Sequence, residues 1–271
     1  MTEFGYLRDP VGNIPLDLDF GSGLKPYLTG VTRGDVDLSK YATESDQRSL
    51  SSCAGNATAD SVEILCAIEE EKKSLATGRA PRPIPQLSRL FVYSMARALQ
   101  DCDNNGQGDL NLDKGTFIRL CFEVLSRFGI CEEEVWPYLE AKVFTPPSIK
   151  ALRQATGHKI HSYYRIKQEG VDRIPEVVAA LRSNHPVVFG TLIDNSFQSS
   201  AGPSKITIPT GSIIGGHAML IVGYVDGFFK VKNSWGSSWR EGGYCYFTPE
   251  YLAWSQTWDV WVPTMGTVFG T

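Results

Sequence analysis

Apolar residues recur at helical spacing through the first half of the chain. From Cys53 onward this spacing predicts a long helix that runs through a charged stretch at 69–73 toward Gly78 as its stop. Two further amphipathic helices are predicted, one by Leu87, Leu90, Phe91, Met95 and Ala98 and the other by Phe117, Leu120, Cys121, Val124 and Phe128. The first half of the chain is therefore expected to be helical.

The pattern changes in the second half. Short segments rich in Val, Ile, Phe and Tyr predict strands at 186–193, 218–224, 228–232, 244–247 and 259–262. Helices followed by strands are typical of an α+β fold, in which two lobes can meet in a cleft.

Residues 1–35 differ in character from the rest. Glycine and proline are frequent there, which predicts a loosely structured extension. Four apolar residues nevertheless alternate as in an extended strand: Ile14, Leu16, Leu18 and Phe20. The folded domain is expected to occupy residues 36–271, with a helical lobe at about 45–150 and a β-rich lobe at about 155–265.

Composition narrows the class of protein. The chain has 271 residues, of which 42% are hydrophobic, enough to fill a core. A net charge of −4 provides no concentrated basic field, so nucleic acid is not an expected partner. The N-terminus lacks the apolar run of a signal peptide, and no apolar stretch approaches the ~20 residues of a membrane span. We therefore expect no membrane partner and a cytoplasmic location as synthesised, with export by a signal-independent route left open.

The cysteines and histidines do not suggest a metal site. The six cysteines form no CxxC pair, a usage that suits a reducing compartment. The four histidines fall at no ligand spacing relative to the cysteines. Neither a metal nor another cofactor is expected.

A nucleophile and a base can nevertheless be picked out. Cys53 lies at the predicted start of the long helix, where unpaired N–H groups and the helix dipole favour a thiolate. Asp226-Gly227, a dipeptide favoured in tight hairpin turns, separates two apolar strands. In such a hairpin His217 and Asn233 reach the same open end, where the amide oxygen can determine which ring nitrogen carries the proton. A cysteine, a histidine and an orienting amide together indicate nucleophilic catalysis.

Several motifs resemble those of the papain family of cysteine peptidases. The run QRSLSSC at 47–53 is similar to the family's glutamine and nucleophilic cysteine pattern, and GGHA at 215–218 and NSWGSSW at 233–239 are similar to its histidine and asparagine signatures. FGI at 128–130 and WPY at 136–138 match further landmarks, so the resemblance spans about residues 36–250. On DLSKY at 37–41 and Leu50 it is closest to the bacterial branch.

The resemblance implies a two-lobed α+β fold, with a helical N-terminal lobe, a β-barrel-like C-terminal lobe and the active site in the cleft between them. It implies that Cys53 is the nucleophile, His217 its base, and Asn233 the residue that orients His217. The Gln47 side chain and the Cys53 N–H would stabilise the oxyanion. Further residues expected to support the site or contact substrate are Ser51, Trp235, Trp239, Gly216 and Ala218.

The implied function is that of a cysteine endopeptidase that hydrolyses peptides or proteins through a Cys53 acyl-thioester. An acyl transferase or deamidase with the same dyad, and a non-catalytic peptide-binding relative, are the alternatives. If Gly190, Gly216 and Ala218 align as in relatives, they leave a roomy, uncharged pocket for an apolar residue two positions before the cleaved bond.

Residues 1–35 are too short to resemble the long helical pro-segment that keeps many relatives inactive. An extended chain is what a peptidase cleft accepts, so we expect this region to dock on or beside the groove and limit access to Cys53. The alternative is a strap that wraps the outside of the domain and stabilises it.

Overall fold

A computed structural model of the protein describes residues 5–9, 17–28, 34–102 and 110–265, and the predicted Ile14 and Leu16 lie outside these ranges. The helices are α1 (Cys53–Thr77), α2 (Arg89–Cys102), α3 (Ile118–Arg127), α4 (Ile149–Ala155), α5 (Arg173–Arg182), α6 (Asn195–Gln198) and α7 (Pro249–Ala253). The strands are β1 (Tyr6–Leu7), β2 (Val36–Asp37), β3 (Thr116–Phe117), β4 (Ser162–Arg165), β5 (Val187–Asp194), β6 (Lys205–Ile206), β7 (Ile213–Val225), β8 (Phe228–Lys232), β9 (Tyr244–Phe247) and β10 (Thr257–Thr264).

Helix α1 is the central helix of the fold. It begins at Cys53, as the sequence predicts, and its first 13 residues, 53–65, are all buried. The helix contacts α2 and α3 as well as strand β7, so no side of this half faces solvent. It ends at Gly78, whose φ of 67° is the left-handed conformation favoured at helix C-termini.

The strands of the second half form one mixed sheet. Within the described residues its order is β4-β10-β5-β7-β8-β9-β6, with β2 also paired to β7. The five predicted strands correspond to β5, β7, β8, β9 and β10, so these predictions are confirmed. Helices α1, α2 and α3 precede these five strands, and the fold is α+β.

A tight hairpin joins β7 to β8 at the predicted position. Val225 pairs with Phe228 across a two-residue loop, and the loop residues Asp226 and Gly227 have φ angles of 50° and 81°. Two successive positive φ values define the turn type that matches the twist of the strands, which is why Asp-Gly is favoured here. A register shift between Ile221 and Gly223 adds a bulge farther along the ribbon.

A buried ionic cluster joins the helices to β8. Arg89 of α2 places Nη2 2.6 Å from Asp60 Oδ1 and 3.0 Å from Glu63 Oε2 on α1. Lys232, the last residue of β8, also forms an ion pair with Asp60. Burial by itself would raise the pKa of Asp60, but Arg89 and Lys232 more than offset this and hold the pKa below its usual value. The cluster therefore stabilises the position of the chain that continues into Asn233.

Residues 17–28 lie beside β4, the edge strand of the sheet. The Arg165 amide donates to the Leu18 carbonyl at 2.7 Å, and Lys25 forms an ion pair with Glu176 of α5 at 2.7 Å. Phe20 is buried but begins a single π-helical turn, Phe20–Leu24, so the predicted extended pattern ends at Asp19. Asp19 caps this turn by accepting from the Ser22 amide, an interaction that competes with continued strand structure.

Residues 5–9 do not run beside β4 but pair with β3, and we call them the cleft segment. Strand β1 pairs in parallel with β3, and the Thr116 amide donates to the Gly5 carbonyl at 3.0 Å. Within the described ranges, no helix combines the length and apolar character needed to cross a membrane. The boundary at residue 36 and the two lobe boundaries stay predictions.

Candidate active site

Cys53 is the first residue of α1 and is fully buried. Its own N–H and that of Ala54 interact with the sulfur, as expected where the first amides of a helix have no intrahelical partner. A third donor comes from the other side of the cleft, since the Ala218 amide lies 3.4 Å from Sγ. The residue that follows His217 therefore contacts the thiol directly.

His217 and Asn233 are joined across the hairpin as the sequence predicts. His217 Nε2 lies 2.7 Å from Asn233 Oδ1, and the Ser234 amide donates to the same Oδ1 at 2.8 Å. An atom that accepts from a backbone N–H must be the amide oxygen, so Nε2 of the imidazole carries a proton and donates it to Asn233. Nδ1 is then the ring nitrogen left to exchange a proton.

Aromatic rings cover this pair. The Trp235 ring lies 4.8 Å from the His217 ring, centroid to centroid, at an interplanar angle of 30°. Trp239 packs edge-on against Trp235 at 5.5 Å, and Phe197 contacts His217, Trp235 and Trp239. These rings exclude water from the histidine–asparagine hydrogen bond, which strengthens it.

Gln47 is held in one orientation by two hydrogen bonds. Its Oε1 accepts from Ser234 Oγ at 2.6 Å, and its Nε2 donates to the Leu50 carbonyl at 2.8 Å. The Gln47 amide in turn donates to the Ser234 carbonyl at 2.8 Å. An amide nitrogen has two hydrogens, so Nε2 keeps one for a further acceptor. The sequence did not indicate a role for Ser234 in this arrangement.

Hydrogen bonds from Tyr138 and to Asp113 hold the loop that carries Gln47. Tyr138 donates its hydroxyl to the Gln47 carbonyl at 3.0 Å and lies 2.5 Å from Ser52 Oγ. The Ser51 amide donates to both carboxylate oxygens of Asp113, at 3.1 and 3.0 Å. These contacts determine the path of residues 47–53 and hence the relative positions of Gln47 and Cys53.

Burial has opposite effects on the two reactive groups. Desolvation raises the pKa of Cys53 to about 12, although the Ala218, Ala54 and Cys53 amides lower it in part. Desolvation also lowers the pKa of His217 to about 4, and the hydrogen bond to Asn233 offsets this only partly. Both shifts favour the neutral thiol and the neutral imidazole over the ion pair expected of an open site.

The cleft segment lies between the two sides of this site. A Cβ on Gly5 would come within 1.9 Å of the Ser51 carbonyl oxygen, so only glycine permits such a close approach. The Tyr6 ring packs on Gly190, where a Cβ would lie 2.0 Å from Tyr6 Cζ, and Tyr6 also contacts Gly216. Tyr6 thus fills the space beside Gly190 and Gly216 where the pocket is expected.

The far end of the pocket carries a charge that the sequence pattern did not reveal. Asp259 accepts from the Tyr6 hydroxyl, and the same Oδ2 accepts from the Asp9 amide at 3.0 Å. Asp259 has a φ of 49° and lies in a register shift between Trp258 and Trp261. Such a bulge re-aims a side chain, and here it turns a strand residue toward the cleft. The expectation of an uncharged pocket is therefore wrong at this end.

The structure brings most of the predicted site residues together. Cys53, Gln47, His217 and Asn233 are linked through Ala218 and Ser234. Trp235 lies over the histidine with Trp239 packed against it, and Ser51 and Gly216 contact the cleft segment. Ser234, Tyr138 and Asp259 were missed, because each acts through contacts distant in sequence. No group of three or more His, Cys, Asp or Glu side chains suited to a metal occurs within the described residues.

Known protein sequences resemble that of this chain. Residues 87–253 match the family described as papain family cysteine protease, a range that includes His217 and Asn233 and begins after Cys53. An uncharacterized peptidase C1-like protein of Acanthamoeba polyphaga mimivirus is 33% identical over 80% of this chain and 68% of its own length. A cathepsin B-like protein, CP2, of Giardia intestinalis is 27% identical over 63% of this chain and 57% of its own.

Comparison with solved structures supports the fold. Xylellain, a cysteine protease from Xylella fastidiosa, matches with a TM-score of 0.76 and 29% identity over 97% of this chain and 96% of its own. Bromelain from Ananas comosus, in complex with the inhibitor E64, matches with a TM-score of 0.62 and 21% identity, covering 87% of this chain and all of its own. By sequence and fold together, the chain belongs to the papain family of cysteine proteases and is a cysteine peptidase.

Proposed function

We propose that this protein is an endopeptidase whose reaction proceeds through an acyl-thioester on Cys53. The observation that carries the proposal is the 3.4 Å contact between the Ala218 amide and Cys53 Sγ, which brings the segment after His217 against the thiol. His217 Nε2 donates to Asn233, so Nδ1 is available to take the thiol proton and to return it to the leaving amine.

The oxyanion has two donors in this proposal. One is the Cys53 backbone N–H at the start of α1, and the other is the second hydrogen of Gln47 Nε2. Ser234 and Leu50 hold the Gln47 amide so that it need not reorient during the reaction. Preorganised donors of this kind are typically worth about 10²–10³ in rate each.

Replacing Cys53 tests the proposal directly. The Cys53→Ala variant should lose turnover of a fluorogenic peptide and labelling by an epoxide thiol trap. Cys66→Ala is the matched control, since Cys66 is a half-buried thiol on the same helix. Full peptide hydrolysis by purified Cys53→Ala would exclude the proposed nucleophile. Mass analysis with an added amine separates a transferase, which yields an amine adduct, from a hydrolase.

We also propose that the cleft segment inhibits the enzyme. Three observations support this: Tyr6 occupies the pocket on Gly190 and Gly216, Gly5 packs on Ser51, and Cys53 and His217 have no exposed surface. Burial adds a second effect, because it favours the thiol, a far weaker nucleophile than the thiolate. Residues 17–28, which follow β4, fit the alternative of a strap.

Two thiol reagents of different size show whether the cleft segment limits access to Cys53 or only stabilises the fold. If the cleft segment blocks the groove, a bulky peptidyl epoxide should label Cys53 far more slowly than iodoacetamide does. Tyr6→Ala should reduce that difference. Equal discrimination between the two reagents before and after the substitution would show that the segment does not limit access.

A further inference from the structure

The inner face of the cleft segment carries a buried carboxyl group that the chemistry above does not use. Asp9 is 2% exposed, and neither of its side-chain oxygens accepts a hydrogen bond from the described parts of the chain. Arg119 of α3 places Nε 3.7 Å from Asp9 Oδ2, beyond hydrogen-bond distance. A buried carboxylate without hydrogen bonds is costly, whereas a protonated carboxyl is much less so.

Asp9 shares its nearest cations with other carboxylates. Asp259 lies beside it, and Asp17 lies close enough to interact with it. Two guanidinium groups face these carboxylates: Arg165 of β4, which contacts Asp17 at 3.3 Å and Asp259 at 3.2 Å, and Arg119. Arg165 is thus shared between Asp17 and Asp259, and Arg119 also lies 3.7 Å from Glu123, so an ionised Asp9 is a poorly compensated buried charge.

We infer that docking of the cleft segment is coupled to the proton on Asp9, so that the segment covers the cleft in acid and leaves it as the pH rises toward neutral. This inference rests on the inhibitory role proposed for the segment. Loss of the proton leaves a carboxylate that water solvates well, and residues 5–9 move out of the cleft to reach it. The Tyr6 hydroxyl and the Asp9 amide then release Asp259.

The direction follows from the pKa. Burial, with a smaller contribution from Asp259, raises the pKa of Asp9 from 3.8 to about 7 when the segment is docked. Once the pH is high enough for Asp9 to ionise in the free segment, docking requires either uptake of a proton or burial of the charge, and both cost free energy. Docking is therefore strongest below about pH 4, weakens through the interval up to about pH 7, and is constant above it, a total change of about 1,000-fold.

The other ionisable groups in contact with this cluster do not reverse the effect. Burial raises the pKa of Asp17 and raises that of Tyr6 well above its usual value of 10.0, so neither group reverses the direction. Burial raises the pKa of Cys121 on α3 and lowers that of Arg173 from its usual value of 12.5. Further charged groups near the cluster include Arg8, Glu123 and Lys167.

Hydrogen exchange of the Thr116 amide measures docking without relying on catalysis, because this amide donates to Gly5. In Cys53→Ala protein, protection of Thr116, corrected for the intrinsic pH dependence of exchange, should fall at least 100-fold from pH 4.5 to 7.5. Adding Asp9→Asn, which mimics the protonated acid, should leave less than a tenth of that change. Asp35→Asn is the control, since it removes an exposed carboxylate at the other end of the N-terminal region and should follow the parent.

Activity provides a second readout in which the titration of Cys53 and His217 cancels. The ratio of kcat/KM for Asp9→Asn to that of the wild type should fall at least tenfold between pH 4.5 and 7.5. Thr116 protection that is constant with pH in the parent, or equally pH-dependent in Asp9→Asn, would overturn the inference. Protection that changes as expected in a protein that hydrolyses no peptide would instead refute the proposed function and leave the coupling intact.

Discussion

Replacing Tyr6 by alanine is expected to open the cleft and raise peptide turnover. The Tyr6 side chain is 6% exposed, and burial of an aromatic ring of this kind stabilises docking by about 2–3 kcal/mol. Its hydroxyl also donates to the Asp259 carboxylate, and hydrogen bonds to charged groups contribute about 1.5–3 kcal/mol. Together the substitution should weaken docking by about 4 kcal/mol, roughly a thousandfold.

The assay is turnover of a fluorogenic peptide at pH 5, where docking is strong. Active sites are counted by titration with an epoxide that labels Cys53, so that the rate is expressed per competent molecule. Turnover per site should rise by at least tenfold in Tyr6→Ala. The gain is smaller than the roughly thousandfold change in docking, because turnover reaches its maximum once every molecule has an open cleft. Tyr6→Phe keeps the ring and loses only the hydroxyl, so docking should weaken by roughly 10–100-fold.

Leu18→Ala is the control, because Leu18 belongs to the same N-terminal region but is 48% exposed. It should leave turnover within about twofold of the wild type, since surface substitutions usually change stability by less than about 0.5 kcal/mol. Unchanged turnover per site in Tyr6→Ala, together with a lower melting temperature, would refute the reasoning and assign a purely stabilising role to the segment.

Three further outcomes are expected. Ser234→Ala should lower kcat by about tenfold with little change in KM, because the Gln47 amide loses one of its two restraints; a change in KM alone would contradict this role. With the cleft opened, kcat/KM should follow a bell-shaped profile across roughly pH 5–8, rising as Cys53 loses its proton and falling as His217 loses its own. Exposure to water should lower the thiol pKa from about 12 and raise the imidazole pKa from about 4. A rate that climbs steadily through pH 9 would show an unactivated thiol. Lys232→Met should lower the free energy of unfolding by about 3 kcal/mol, since it leaves a buried carboxylate on α1 short of a partner; a loss below 1 kcal/mol in urea unfolding would show that the cluster contributes little.

The secondary structure around the site was largely predictable from the sequence. The start of α1 at Cys53 follows from helical periodicity, and the β7–β8 hairpin follows from Asp226-Gly227 between two apolar runs. Both signals are local, because helix and turn propensities act over a few residues. A tight hairpin then brings His217 and Asn233 together without any further information.

The charged end of the pocket could not be predicted in the same way. Asp259 begins DVWV, a run typical of an ordinary strand, and its orientation depends on a bulge formed where β10 pairs with β5. The restraint on Gln47 by Ser234 likewise joins residues 187 positions apart. Bulges and side-chain hydrogen bonds of this kind arise only once the strands have paired, so no periodicity in the sequence reports them.

The sequence by itself therefore determined the α+β class, the helix that presents Cys53, the hairpin that joins His217 to Asn233, and the motifs that mark the papain family. Only the tertiary structure decided that Tyr6 fills the pocket on Gly190 and Gly216 and that Asp9 is buried beside Asp259. The physical reason is sequence distance: propensity and patterning act between near neighbours, whereas docking of the cleft segment depends on shape and charge from residues about 45–250 positions away.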